Sequence, residues 1–322
     1  MSARYVVYGT GAVGGVIGAN LHLADLPLTL VARGPHLDRI RSGGLVLDRG
    51  DGRQVVRAPA VGSAAEVDWS EPAVVLLAVK GHQTAAALDD LAAHAPPTTV
   101  VVSAQNGVAN EVAILRRFAA TYSLCVMLPS THLEPGEVIQ KCWPVPGILD
   151  IGRIPHGVDD TCEAVAADLR AAGFESVPRA QIMAWKHRKL LMNVGNAVDA
   201  TCARGESADD LRERARAEGE LVLRVAGVPL VSAEEDVERR GDVLRPRTDL
   251  PADLGGSTWQ SVSRGARVTE VDHLAGEIVL LGRLHGVPTP VNELLQRTAH
   301  EHARAGAAPR SLDAADLLAQ LA

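Results

Sequence analysis

The sequence predicts an α/β N-terminal domain built on a mostly parallel sheet, followed by an all-helical C-terminal domain. Three observations predict this. Short β-branched runs alternate with Ala-rich helical stretches through the first half, which is the pattern of βαβ units. A glycine-rich turn joins the first of those strands to the first helix. After about residue 180 strand signals nearly vanish and long helical stretches take over. The expected division places residues 1–178 in the first domain and 179–322 in the second.

The candidate strands are Tyr5–Tyr8, Leu28–Val31, Ala73–Val79 and Thr98–Val102, with helices expected near 12–24, 83–93 and 109–118. Segment 45–57, centred on Asp51-Gly52, reads as a hairpin inserted after the second strand. From about 121 to 178 short strands with Pro and Gly breaks follow, such as Glu137–Lys141 and Ile148–Ile151. The helical half is expected at 181–203, 207–226, 267–285 and 291–305, with a loop over 241–257.

Composition removes several classes. Apolar residues are 47% and charged residues 22%, enough for a sizeable core. The net charge of −7 argues against a general nucleic-acid binder, which needs a basic surface. The longest purely apolar run, Ala73–Val79, is far short of a membrane span. The strand-like Arg4–Tyr8 begins almost at the first residue and leaves no room for a signal peptide. Cys125, Cys142, Cys162 and Cys202 form no CxxC pair, so reduced thiols in the cytoplasm are expected. There is no HExxH, and no metal site is expected. The apolar helical half offers a surface for a homodimer, although no residue fixes that state. Of 32 basic residues only Lys80, Lys141, Lys186 and Lys189 are lysine. Each is therefore worth asking about.

Gly9-Thr10-Gly11-Ala12-Val13-Gly14 is a GxGxxG between a predicted strand and a predicted helix. In a Rossmann-type unit the first glycine permits the turn, the second admits a diphosphate, and the third lets helix and strand pack closely. The anion would meet the free N–H groups of the helix N-terminus. At the end of the second strand an acidic residue would suit NAD ribose hydroxyls; here stands Arg33, whose planar fork suits a 2′-phosphate. The expected cofactor is NADP. Lys80 and the Gln105-Asn106-Gly107 loop follow later strands, at the carboxyl ends where open sheets bind ligands. A surface lysine and an ordinary turn asparagine are the plainer alternatives.

The helical half carries a polar stripe. Lys189, Asn193 and Asn196 are spaced i, i+4, i+7 in one expected helix and so share a face, with Lys186 one turn earlier. Asparagine and Gly195 are poor helix formers, so the stripe needs a reason. A polar ligand is one, and a helix–helix hydrogen-bond network is the other. Farther on, Ser257 taken alone reads as a helix cap or loop hydroxyl. Glu270 reads as a first-turn acid complementing a helix dipole or as a site residue.

Taken in order, these pieces resemble the ketopantoate reductase family over almost the whole chain. The resemblance runs from Gly9–Gly14 through Arg33-Gly34, Val79-Lys80 with Gln83-Thr84, and Gln105–Val108 to Pro135–Val138. It continues through Lys189–Asn193, Ser257, Thr269–Asp272 and Val287–Asn292. It implies a Rossmann-type domain joined to a helical one, with the active site in a cleft. It implies Lys189 as general acid, Glu270 as its acidic partner near the nicotinamide ribose, and Asn193 and Ser257 as substrate ligands. Asn106 would stand where ribose meets substrate, Arg33 at the 2′-phosphate and Lys80 on the cofactor. The implied reaction is NADPH-dependent reduction of a 2-keto acid, ketopantoate to pantoate in pantothenate biosynthesis. A lysine ammonium, ordinarily of pKa about 10.4, can donate the proton that arginine cannot.

The chain also departs from the family pattern. A second asparagine is usual four residues after the first; here that place is Ala197, and the amide is Asn196. That departure keeps open a different 2-keto acid, or the oxidation of a D-2-hydroxy acid. A non-catalytic NADP-binding sensor is the remaining alternative.

Overall fold

The computed structural model describes residues 3–251 and 254–321. The chain divides into two compact units: Met1–Gln105 with Asn110–Met183 and Val237–Pro251, and Asn106–Ala109 with Ala184–Asp236 and Ala252–Ala322. The units therefore interleave along the chain, where the sequence suggests a single cut.

In the first unit the order is β1 (Tyr5–Tyr8), α1 (Ala12–Leu23), β2 (Leu28–Val31), α2 (Gly34–Gly43), β3 (Leu45–Arg49), β4 (Gly52–Val56) and β5 (Ala60–Val61). Then come β6 (Val74–Leu77), α3 (Thr84–His94), β7 (Val100–Ser103), α4 (Asn110–Leu115), β8 (Thr121–Met127), β9 (Ser130–Thr131), β10 (Glu137–Gln140), β11 (Ile148–Arg153) and α5 (Asp160–Ala171). The main sheet has the order β11-β8-β7-β6-β1-β2-β5. It is parallel apart from β11, which runs antiparallel to β8. A second sheet, β4-β3-β10-β9, contains the expected hairpin β3–β4.

α1 packs against strands of both sheets, which explains its glycines. A Cβ on Gly18 would lie 2.9 Å from Leu30 of the main sheet, and one on Gly15 would lie 2.6 Å from Val138 of the second. Asn20 joins the same layers, donating to Gln140 Oε1 at 3.3 Å. The expectation of strands alone over 121–178 misses α5, an amphipathic helix capped by the Asp159 carboxylate on the Cys162 N–H.

The segment 237–251 is held to the first unit by two arginines. Arg239 grips the buried Asp150 carboxylate of β11 with two bonds of 2.9 and 2.7 Å. Arg179 and the Val177 N–H donate to the same group, each at 3.0 Å. Arg247 pairs with Asp48 at 2.8 Å and donates to the carbonyls of Asp48 and Gln140.

The second unit is helical. It holds most of α6 (Ile182–Asn193), then α7 (Asn196–Thr201), α8 (Glu206–Val225) and the start of α9 (Ala233–Arg240). α10 (Ser257–Ser263), α11 (Ala275–His285), α12 (Pro290–Ala305) and α13 (Ala314–Leu318) follow. Two expectations need correction. The helix expected over 181–203 is two helices, broken at Val194-Gly195, where a Cβ on Gly195 would lie 2.9 Å from the Arg212 side chain. The helix expected from 267 begins only at Ala275, after a short 3₁₀ turn over Val271–His273. Described residues of the loop expected over 241–257 form neither helix nor strand before Ser257, and Ala252 and Asp253 lie outside the described residues. Asn292 anchors α12: its amide donates to Ala215 O and Glu218, and Glu218 also accepts the Val291 and Asn292 N–H groups.

Removing the Asp150 charge leaves two guanidinium groups without their buried counter-ion. Asp150→Asn is expected to cost about 3–5 kcal/mol of stability, read as a lower urea midpoint of unfolding. A midpoint unchanged from the wild type would show that the cluster does not hold segment 237–251.

Candidate active site

The first unit carries the glycine turn and the strand ends around it. β1 has β2 on one side and β6 on the other, so the chain reverses its direction of strand addition there. Ligands of open α/β sheets bind at such a switch point, beyond the strands' carboxyl ends. The Gly9–Gly14 turn stands at this point, and its glycines differ in purpose. Gly9 has φ +102°, and a Cβ on it would lie 2.8 Å from Val79. A Cβ on Gly14 would lie 2.1 Å from the Gly9 carbonyl oxygen. Gly11 is the exception: a Cβ there would meet nothing within 4 Å. The first and third glycines are demanded by packing, whereas the second faces open space, as an approaching diphosphate requires. No acidic residue stands in the first turn of α1 to compete for its N-terminus. The residues present fit a dinucleotide.

Arg33 directly precedes α2, is exposed, and donates to the Tyr8 hydroxyl at 3.2 Å. Tyr8 in turn donates to Asp90 at 2.6 Å. Burial, and then that donation, push the Tyr8 phenol up to about 12, so it stays a hydroxyl that steadies Arg33. Lys80 lies one residue beyond Val79, the residue that Gly9 packs against. Its loop is held by Gln105, which donates to the Val79 carbonyl at 2.9 Å and to Thr84 at 2.8 Å.

His36, a residue not singled out from the sequence, braces the glycine turn. Its Nε2 lies 2.6 Å from the Thr10 carbonyl oxygen, and its Nδ1 accepts the Gly136 N–H at 2.8 Å. The His132 ring stands 4.3 Å away. Burial, and then the charge of His132, push the His36 pKa down to about 4. No signal in the sequence separates His36 from the other ten histidines, because its partners lie 26 and 100 positions away.

The second unit carries the polar stripe. Lys189 Nζ donates to Asn106 Oδ1 at 2.5 Å. Asn106 belongs to a four-residue segment that packs with this unit, although it follows β7 in the chain. Beside it Gly107 has φ +79°, and a Cβ there would lie 2.7 Å from the His273 carbonyl oxygen. The Asn106 loop thus touches both α6 and the turn that follows Glu270. Glu270 is buried, at 6% exposed, and directly precedes the 3₁₀ turn. It is not the first-turn acid of a long helix. Ser257 is the first residue of α10, and its Oγ is buried with no hydrogen-bond partner among the described residues.

Asn193 ends α6 and Asn196 opens α7, so the helical face shared by Lys189 and Asn193 stops before Asn196. Lys186 is almost fully buried, at 4% exposed. All four cysteines are buried thiols outside any disulfide, and burial pushes Cys142, Cys162 and Cys202 up from the ordinary thiol range. No group of three His, Cys, Asp or Glu among the described residues could hold a metal ion.

Residues 5–156 match the family model described as Ketopantoate reductase PanE/ApbA, and residues 181–303 match its C-terminal counterpart. The chain belongs to the ketopantoate reductase family. It is thereby an oxidoreductase acting on a CH–OH group. Similar chains include the 2-dehydropantoate 2-reductase of Pyrococcus horikoshii, 26% identical over 91% of this chain and 95% of that one. That of Archaeoglobus fulgidus is 29% identical with the same coverage. Among solved structures, a PanE/ApbA-family ketopantoate reductase from Ralstonia eutropha superposes with TM-score 0.79 at 25% identity, covering 94% of this chain and 99% of that one. A D-mandelate dehydrogenase solved with NADH and anilino(oxo)acetate shares the fold, with TM-score 0.80 at 20% identity and the same coverage.

The lowered pKa of His36 makes a signed prediction. The folded state disfavours the protonated ring, so its stabilisation is complete above the unfolded value of 6.5 and is lost as pH falls toward about 4. Thermal unfolding of wild type and His36→Gln between pH 8 and 4 should therefore show the wild type losing stability faster below about 6.5. Parallel curves would contradict this.

Proposed function

We propose that the protein reduces a 2-keto acid to a 2-hydroxy acid with NADPH, with ketopantoate as substrate and pantoate as product, in cytoplasmic pantothenate biosynthesis. The observation that carries this is the hydrogen bond from Lys189 to Asn106, which joins two residues 83 positions apart in the chain. The relatives named 2-dehydropantoate 2-reductase support the substrate. NADPH over NADH is supported by Arg33, held by Tyr8 where a 2′-phosphate-binding cation is expected.

When bound, the cofactor supplies a hydride to C2 of the keto acid. Lys189 donates a proton to the ketone oxygen as negative charge develops there, and recovers one from solvent. Proton donation of this kind is worth about 10²–10⁴ in rate. Asn106 orients the ammonium by accepting from it. Glu270, buried beside the 3₁₀ turn, is the acidic partner that the family resemblance assigns to the lysine. Asn193 and the Ser257 hydroxyl, which has no hydrogen-bond partner among the described residues, hold the substrate's polar groups, and Asn196 stands in for the family's second asparagine. On the cofactor side Gly9, Thr10, Gly11, Ala12, Val13 and Gly14 cradle the diphosphate, and Lys80 adds a cation.

One observation favours a second reading. The helix breaks between Asn193 and Asn196, so the second amide stands on a different helix from Lys189 and Asn193. A 2-keto acid other than ketopantoate, or its D-2-hydroxy acid, is the alternative; the fold shared with D-mandelate dehydrogenase is compatible with it.

Steady-state specificity constants for ketopantoate and for a panel of branched and aromatic 2-keto acids decide between the two. Ketopantoate should rank first, and poor activity on it beside good activity on another acid would transfer the assignment. In the same assay Lys189→Ala should lose turnover by at least about a hundredfold while NADPH binding is retained. Near wild-type turnover would remove Lys189 from the role. Arg33→Ala should weaken NADPH about ten- to a hundredfold and NADH little; equal losses for both cofactors would remove the 2′-phosphate contact.

A further inference from the structure

The two partners of His36 define its chemistry. The Gly136 N–H can only donate, so Nδ1 is the acceptor and carries no proton. The proton is then on Nε2, which donates to the Thr10 carbonyl at 2.6 Å. Two backbone groups, one on each side of the ring, select a single tautomer of a neutral imidazole.

Thr10 is the second residue of the glycine turn and is buried, at 2% exposed. Its N–H and hydroxyl both donate to the Val31 carbonyl, at 3.2 and 3.0 Å. Across a trans peptide the Thr10 C=O and the Gly11 N–H point in opposite directions. A carbonyl pinned toward His36 therefore turns the Gly11 N–H away from it, at the one glycine of the turn whose surroundings are open.

We propose that His36 is a positioning residue for the dinucleotide: by donating to the Thr10 carbonyl it sets the Thr10–Gly11 peptide plane, so that the Gly11 N–H faces the diphosphate before the cofactor arrives. This rests on the dinucleotide reading of the glycine turn. Its physical basis is pre-organisation, since a peptide already oriented need not be ordered on binding. The Gly136 contact serves the other side of the ring. It ties α2 to the chain leading into β10, and so holds the donor in place without touching the turn.

Two conservative variants separate the two bonds. Glutamine places an N–H about where Nε2 stands and can keep the Thr10 bond. Asparagine places an oxygen about where Nδ1 stands, and can keep the Gly136 bond while leaving Thr10 without its donor. Fluorescence titration with NADPH alone should show His36→Asn weakened about tenfold and His36→Gln within about threefold of the wild type. In turnover the loss should fall on KM for NADPH rather than on kcat. Thermal unfolding of each variant gives its stability separately. Wild-type affinity in His36→Asn, or equal losses in both variants that track stability, would overturn the proposal. Should neither variant fold, ¹⁵N spectra of the wild-type histidine rings test the same point, because a proton on Nδ1 of His36 overturns it. A wild type that binds neither NADPH nor NADH would remove the dinucleotide reading itself, whereas an unmoved His36→Asn beside a wild type that binds would remove only the role of His36.

Discussion

The close approach of α1 to a sheet on each side is the constraint from which much of the first unit follows. A helix packed on two faces can carry few side chains where the backbones come nearest, and Gly14, Gly15 and Gly18 occupy those places. Gly14 packs on the carbonyl of Gly9, so the same approach sets how tightly the turn folds back over β1. Val79 then packs on Gly9, which sets where the Lys80 loop begins. The glycine turn is thus a consequence of how the layers pack, with His36 and Val31 fastening its second residue from two directions.

The excess of arginine over lysine has a structural counterpart. Arg239 grips Asp150 with two parallel bonds, and Arg247 reaches a carboxylate and two carbonyls at once. A planar fork of donors does this and an ammonium does not. Such bonds hold segment 237–251 to the first unit although the chain on either side of it belongs to the second. Lys189, by contrast, donates a single bond to the Asn106 amide oxygen, which an ammonium does as well as a guanidinium.

The elements legible in the sequence were those with a strong local pattern. β1, β2 and the helices α1, α3 and α4 lie where alternation and periodicity put them, and the β3–β4 hairpin follows its turn residues. The misses have physical causes. Gly195 costs a helix only about 1 kcal/mol relative to alanine, so nothing local required the break that the Arg212 side chain now fills. Glu270 looked like the start of a helix because Thr-Glu is a good first turn, yet the chain makes a 3₁₀ turn first and begins α11 at Ala275. α5 went unseen because its charged face dilutes an apolar stripe that only the sheet beneath it selects.

The sequence by itself determined the class of fold, the glycine turn with Arg33 beyond it, and the identity of Lys189, Asn106, Ser257 and Glu270 as residues to ask about. The glycine turn and the Lys189 stripe rest on spacing within a few residues, and Arg33 on one residue type in an unusual place. Asn106 rests on its position after a strand, and Ser257 and Glu270 on the ordered resemblance to the family. Only the tertiary structure decided that Lys189 meets Asn106, that the stripe is interrupted before Asn196, that segment 237–251 belongs with the first unit, and that His36 braces Thr10. Those contacts join residues tens of positions apart, and no local periodicity encodes them. They exist because layers and helices pack at fixed distances, and packing brings a particular donor to a particular acceptor.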